Sequence, residues 1–320
     1  MNPMFTQYSR CPTEDGWSLH LRRERSLHPT GSPRRPVLFV PGLGMNGFIF
    51  HHHPDGASFA QFLSVRGFDP WSLDLRGSRS SHPPAGISRW SATMADMAFL
   101  DLPSAIHHIL RETGFSSLDL IGCSLGGTLA YAALGAQSLP VRRLVTMGSP
   151  LRWTARTSLV RSYARVGTLL SRLPIPGTRA AASWMLPAVR RIAPDLLAVY
   201  LNPRLTNCRD AATLTRTIED PVPDLHRTLS RWILETDLVL DGHHVTGRLG
   251  SFCGDTAIVT ATGDGICPPD ASRSAHGHLG GRTTDIEVDH PTERVSHVDL
   301  FISRHAHTAT FAPIAGFLRA

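Results

Sequence analysis

Ser124 stands in a short pattern that is typical of a nucleophile. The stretch Gly122-Cys123-Ser124-Leu125-Gly126 places a serine between two glycines, after an apolar run and before a run of small residues. This order predicts a buried strand, a sharp turn and a helix. A serine in such a turn has a strained backbone and needs small residues two positions away on either side. The pattern indicates attack by the serine hydroxyl on a carbonyl carbon, with the Leu125 amide beside it to hold the oxyanion.

Cys123 is the rival nucleophile, because it is adjacent to Ser124 in the turn. Its position next to the turn predicts a side chain that points into the core, where a cysteine acts as a small hydrophobic residue. The chain has five cysteines without C-x-x-C spacing, which predicts neither a zinc site nor a disulfide framework and favours a reducing, cytoplasmic compartment.

A serine nucleophile requires a base, and the base requires a carboxylate that orients it. In an open sheet of parallel strands, functional groups gather beyond the carboxyl ends of the strands. Asp264 directly follows an apolar run and is therefore the predicted acid, with Asp270 and Asp289 as weaker alternatives. Asp255 precedes the same run, at the wrong end, and Asp285 falls inside a predicted strand.

The base is expected after the last strand and before the final helix. Of the 17 histidines, His290, His297, His305 and His307 fall in that window. His297 is far enough beyond the predicted strand end at Val288 to fold back over the sheet. We therefore predict His297 as the base, with His290 as the alternative.

The elements that must position these residues form a β-α-β-α-β rhythm. An alternating run at 17–21 predicts an early antiparallel strand. The order predicts an α/β fold, with a doubly wound and mostly parallel sheet. Further strands are predicted at 36–44, 68–77, 118–122, 142–150, 256–264 and 283–288, and helices at 94–111, from 125 onward and at 309–319.

The rhythm stops between 151 and 248, where helical patches follow one another without strands. We predict three parts: a first core segment at 1–150, a helical cap at 151–248 and a second core segment at 249–320. Residues 152–248 hold 14 arginines and 8 acidic residues, an excess equal to the net charge of +6 of the whole chain. This excess has two interpretations: solvated helix faces, or a field that attracts an anionic substrate or an acyl carrier.

Five stretches together resemble the α/β-hydrolase fold: "VLFVPGLG", "WSLDLRG", "LIGCSLGGTLAYAAL", "TGDGICPP" and "SHVDLF". They are most similar to lipase-like and polyhydroxyalkanoate-synthase-related members, which share a G-x-[S/C]-x-G-G-T turn and a His-x-Asp-Leu run. The resemblance supports Ser124, Asp264 and His297 as the triad, in the chain order this family uses. It also implies the Leu43 amide as second oxyanion donor, with Gly44 as the alternative. One departure is Pro41, where many members carry histidine before the glycine.

The predicted function is cleavage of a carboxylic ester or thioester through an acyl-enzyme on Ser124, with a small-molecule acyl substrate. Serine in place of cysteine favours hydrolysis over polymerisation. Two alternatives remain: an acyltransferase or cyclase, in which an alcohol or amine replaces water, and a non-catalytic binding module.

Other classes of protein find little support. All 32 basic residues are arginine, and no basic run interleaved with aromatics predicts nucleic-acid binding. The first thirty residues lack the apolar stretch of a secretory signal, and the apolar run at 118–136 contains polar residues, which favour a strand and helix over a membrane span. No cofactor motif is present.

The adjacent His51, His52 and His53 cannot all face one metal ion, although one of them could line the pocket. Asp74 and Arg76 are expected to form a structural turn and salt bridge.

Overall fold

The computed structural model describes residues 4–26 and 34–320. Within them, eight strands form one sheet in the order β1-β2-β4-β3-β5-β6-β9-β10. The first two strands pair antiparallel with each other, β2 pairs antiparallel with β4, and the remaining pairs are parallel. The strands are β1 (Met4–Pro12), β2 (Ser18–Ser26), β3 (Arg35–Val40), β4 (Phe68–Asp74), β5 (Leu118–Cys123), β6 (Val141–Met147), β9 (Asp255–Ala261) and β10 (Thr283–Val288), and β7 (Val239–Leu240) and β8 (His243–His244) form a separate hairpin.

Helices cover both faces of the sheet. They are α1 (Phe59–Ser64), α2 (Met94–Asp96), α3 (Leu102–Thr113), α4 (Leu125–Ala136), α5 (Ser158–Leu170), α6 (Thr178–Ile192), α7 (Pro194–Leu197), α8 (Ala211–Leu214), α9 (Pro223–Glu235), α10 (Val245–Arg248), α11 (Pro269–Ser272), α12 (Asp299–Ile302) and α13 (Ala312–Arg319). A π-helical stretch, Met97–Asp101, joins α2 to α3.

The central strands read as continuous apolar runs because both of their faces are covered. Every residue of β5 is buried. Successive side chains point to opposite faces, so Leu120 packs into one hydrophobic cluster and Ile121 into the other. The doubly wound, mostly parallel α/β sheet predicted from the sequence is confirmed.

The predicted elements recur with small shifts at their ends. The early antiparallel strand predicted at 17–21 is β2, and its partner β1 was not predicted. Several parallel strands end before their predicted limits; β9, for example, ends at Ala261. The helix predicted at 94–111 is interrupted by the π-helical stretch.

The segment between β6 and β9 is mainly helical, as predicted, and also contains the unpredicted β7–β8 hairpin. Helix α5 packs closely on α9, since a β-carbon at Gly167 would lie 1.9 Å from Ser230 Oγ. By contrast, none of the 15 residues of α6 is buried. The treatment of 151–248 as a separate cap domain stays a prediction.

Parallel pairing brings the carboxyl ends of six strands to one edge of the sheet. The chain that follows β3 contains Leu43, the residue after β5 is Ser124, and the residue after β6 is Gly148. Asp264 follows β9 and His297 lies on the loop after β10. The sheet therefore assembles these residues at the edge where parallel α/β proteins bind their ligands.

Candidate active site

Ser124 lies in a strained turn, and the positions two residues before and after it have no room for a side chain. Its backbone has φ 52° and ψ −120°, outside the regions that a residue with a β-carbon normally adopts. A β-carbon at Gly122 would lie 2.4 Å from Gly127 Cα, and one at Gly126 would lie 2.2 Å from the Val40 carbonyl oxygen. The two flanking glycines are therefore required for the turn, as the sequence pattern predicts.

Leu125 and Leu43, the predicted oxyanion donors, line the same cavity as Ser124. Leu125 is the first residue of α4, so its amide has no partner within the helix and is available to an anion. Gly42, which precedes Leu43, is so close that a β-carbon there would lie 3.0 Å from Ser124 Cβ. Gly44, the alternative donor, lines a smaller neighbouring cavity that Leu125 also lines.

Asp264 and His297 form a buried pair. The carboxylate Oδ2 of Asp264 lies 2.6 Å from Nδ1 of His297, and the two residues are 4% and 3% exposed. The other oxygen, Oδ1, accepts hydrogen bonds of 2.8 Å from the amides of Ile266 and Cys267. Because both carboxylate oxygens are engaged, the imidazole is held in one orientation, with Nε2 left for a partner on the side of the cavity.

The alternative acids and bases have other partners. Asp270 and Asp289 are exposed, and Asp289 accepts a hydrogen bond from Thr262. His290 uses Nδ1 to accept the amide of Glu293 and does not line the cavity that contains Ser124. The structure brings together Ser124, Asp264 and His297, and it does not bring the alternative residues to this place.

The other carboxylates considered from the sequence form ion pairs away from Ser124. Asp255 pairs with Arg282, and Asp285 pairs with His276 on the sheet edge. Asp74 pairs with His20 rather than with Arg76. Arg76 instead forms a buried ion pair with Asp101 and also pairs with Asp15 and Asp96, which are partly exposed; this is a structural role, as predicted.

Cys123 is fully buried in the hydrophobic core, as its position beside the turn predicts. Burial raises the pKa of its thiol well above the ordinary value. A cysteine attacks as the thiolate, so this side chain is an unreactive neighbour of Ser124.

The cavity around Ser124, here named the serine cavity, has a volume of about 300 Å³. His297, Trp153, Trp232 and Val160 contribute to its lining, which is mostly apolar. Its size and composition are those of pockets that enclose small apolar ligands. The site therefore combines an apolar pocket with a hydroxyl, an imidazole and the amide at the start of α4.

Two further residues of the site were missed by sequence reasoning. Gly148, at the end of β6, has a φ of 56° and lies against the Asp264–His297 pair. Asp299, two residues after His297, accepts hydrogen bonds from the Ser296 amide at 2.8 Å and the Thr206 hydroxyl at 2.8 Å. Asp299 thus ties the loop of His297 to the inserted segment. The only signal for Gly148 in the sequence was a glycine directly after a strand.

The three adjacent histidines point to different places. His51 contacts Glu24 and Ser72, and His53 contacts the carbonyl of Ser303. His52 lines a second cavity, described below, and none of the three lines the cavity that contains Ser124. Among residues 4–26 and 34–320, no group of three or more His, Cys, Asp or Glu side chains is arranged to hold a metal ion.

Comparisons with known proteins agree with this architecture. Residues 35–167 match the family model for the alpha/beta hydrolase fold. Triacylglycerol lipase 1 of Arabidopsis thaliana is 32% identical over 127 residues, which cover 38% of this chain and 32% of that lipase. The chain thus spans about a third of the length of this relative.

Two solved structures share the fold over nearly the whole chain. A thermophilic esterase from Thermogutta terrifontis superposes with a TM-score of 0.60 at 18% identity, covering 98% of both chains. The thioesterase domain from the curacin biosynthetic pathway superposes with a TM-score of 0.59 at 16% identity, covering 100% of both chains. The protein has the α/β-hydrolase fold, which confirms the resemblance identified in its sequence. In the part of the chain that the structure describes, no helix is long and apolar enough to cross a membrane.

Proposed function

We propose that the protein is a serine hydrolase that cleaves carboxylic esters through an acyl-enzyme on Ser124. The observation that carries this proposal is the 2.6 Å contact between Asp264 and His297, with His297 and the strained Ser124 facing one apolar cavity. The relatives named lipase, esterase and thioesterase support this class of reaction.

In the proposed reaction, Nε2 of His297 takes the proton of the Ser124 hydroxyl as the oxygen attacks the carbonyl carbon of the substrate. The carbonyl π electrons move onto oxygen, and the amides of Leu125 and Leu43 stabilise that oxyanion. Asp264 stabilises the imidazolium. The tetrahedral intermediate collapses, its bond to the leaving oxygen breaks, and His297 donates its proton to that oxygen. Water, deprotonated by His297, then attacks the acyl-enzyme in the same way and releases the acid.

Transfer of the acyl group to an alcohol or amine uses the same residues and differs only in the second nucleophile. Product analysis with water alone and with an added alcohol separates hydrolysis from acyl transfer. A non-catalytic binding module has no need for a strained serine beside a buried acid–base pair. That alternative would be favoured if a fluorophosphonate did not label Ser124.

We further propose that the substrate is anionic or is attached to an acyl carrier, and the distribution of arginines supports this. Residues 151–194 contain eight arginines and no acidic residue. Arg152 and Arg179 are paired, with Asp237 and Glu219. Four exposed arginines, Arg165, Arg172, Arg190 and Arg191, form no ion pair within residues 4–26 and 34–320. Unpaired positive charge near the pocket would attract an anion.

All five cysteines are free thiols, and we propose a cytoplasmic location, where thiols are kept reduced.

The proposed function is tested by labelling the intact protein with a fluorophosphonate, followed by turnover of a panel of esters and thioesters of graded chain length. We expect stoichiometric labelling of Ser124, located by peptide mass spectrometry, and hydrolysis of at least one ester series. Absence of both labelling and turnover would overturn the proposal.

A further inference from the structure

A second apolar cavity lies next to the serine cavity. Its volume is about 450 Å³, and α6 forms one of its walls. Met45 and Tyr200 line both cavities and therefore stand between them. No Arg, Asp or Glu side chain of the described residues contributes to the lining of this second cavity. A hydrophobic space of this size adjoining a reactive serine is large enough to enclose part of a substrate.

The second cavity adjoins the residues on either side of the His297 imidazole. Tyr200, which lines both cavities, stacks on that ring with centroids 6.1 Å apart, and Val298, which follows His297 in the chain, lines the second cavity. His297 itself lines the serine cavity, as do Leu43 and Leu125. In the proposed reaction His297 must reach the leaving oxygen to protonate it, so the leaving group lies on the imidazole side of the carbonyl carbon.

We propose that the second cavity binds the leaving group, so that the preferred substrates are esters of an apolar acid with a long apolar alcohol. This inference rests on the proposed function and names its substrate class. It disfavours leaving groups that are charged near the reacting carbonyl, because their burial in an uncharged cavity would leave them without partners.

The test varies the two halves of the ester separately. Methyl butyrate, octyl butyrate and methyl decanoate are compared by kcat/KM on the wild-type protein, Ala182→Phe, Val160→Phe and Ala188→Phe. Ala182 lines the second cavity, Val160 lines the serine cavity, and Ala188 is exposed on α6 and lines neither. Ala188→Phe is thus a matched control on the same helix.

We expect Ala182→Phe to lower the ratio of octyl butyrate to methyl butyrate at least tenfold, since excluding about two methylenes accounts for that factor. Val160→Phe should instead lower the ratio of methyl decanoate to methyl butyrate, and Ala188→Phe should change neither ratio. If Ala182→Phe affects the decanoate ratio instead, or lowers all three rates alike, the assignment of the second cavity to the leaving group is wrong.

A binding measurement separates failure of this inference from failure of the proposed function. Binding of 1-octanol to Ser124→Ala is measured by calorimetry, with and without Ala182→Phe. Saturable binding that the added phenylalanine weakens at least tenfold supports the cavity even if no ester is turned over. No binding, or binding that Ala182→Phe leaves unchanged, overturns the inference whatever the esterase activity.

Discussion

Gly148 lies directly against the imidazole of His297. A β-carbon at position 148 would fall 2.9 Å from Cε1 and 3.0 Å from Nδ1 of that ring, and 3.2 Å from Oδ2 of Asp264. The contacts are to the middle of a buried pair rather than to the end of a flexible chain, so the pair itself would have to move. The end of β6 therefore contributes to the orientation of the base although it carries no functional side chain.

Gly148→Ala should displace His297 and lower kcat by about 100-fold, because small displacements of reacting groups are costly. The positive φ adds strain of about 1–3 kcal/mol to the folded protein. The measurements are kcat and Tm. Gly114→Ala is the control, since Gly114 has a φ of 73° with nothing within 4 Å, and it should lower Tm without lowering kcat. Similar kcat values for the two variants would contradict the proposed contact.

Ser124→Ala should abolish fluorophosphonate labelling and lower turnover by about 10⁴-fold or more, because it removes the proposed nucleophile. Cys123→Ala should keep the label, since the neighbouring thiol is buried. Loss of labelling in Cys123→Ala with retention in Ser124→Ala would assign the nucleophile to the cysteine.

His297→Ala and Asp264→Asn should each lower kcat by several orders of magnitude, because the first removes the base and the second removes the carboxylate that orients it. Combining either change with Ser124→Ala should add little, because residues that act as a unit are not additive. His290→Ala serves as the control, and full activity of His297→Ala with an inactive His290→Ala would move the base to His290.

Asp299 should make stability depend on pH. Burial raises the pKa of its carboxyl from 3.8 to about 6, so the folded state holds this proton more tightly than the unfolded chain. The contribution of Asp299 to the free energy of unfolding is therefore largest below about pH 4 and falls by about 3 kcal/mol as the pH rises to 6. Denaturant unfolding across pH 4–7 gives the free energy of unfolding of the wild type minus that of Asp299→Asn, and this value should fall as the pH rises. A value that rises with pH would contradict the prediction.

The unpaired arginines should make turnover of anionic substrates sensitive to salt. For a neutral and an anionic ester with the same acyl group, kcat/KM should fall with ionic strength only for the anion. Arg190→Gln combined with Arg191→Gln should reduce that dependence, whereas Arg231→Gln, whose arginine is paired with Glu235, should leave it unchanged. Parallel salt curves for the two esters would identify the arginines as ordinary solvated residues.

The sequence was sufficient for the elements whose signals are local. Glycines on either side of Ser124 mark a turn that no other residue permits, and the position of Asp264 directly after a buried run fixes the end of the sheet on which it lies. The same reasoning could not place Met45 and Tyr200 between two cavities, because that arrangement depends on how the inserted helices pack over the sheet. It also missed β1, since an edge strand with an exposed face lacks the continuous apolar run of the central strands.

The side-chain hydrogen bonds and ion pairs of helix α6 to other elements lie near its first turn. Near its first turn, the Thr178 hydroxyl lies 2.6 Å from Asp220 and Arg179 pairs with Glu219 at 2.8 Å. At its other end, Ile192 is 81% exposed. A helix that buries no residue has little free energy opposing local unfolding, whereas α4 is buried almost throughout. The amides of α6 should thus exchange with deuterium much sooner than those of α4. Entry of a ligand into the second cavity would then be limited by the rate at which α6, which forms one of its walls, unfolds locally.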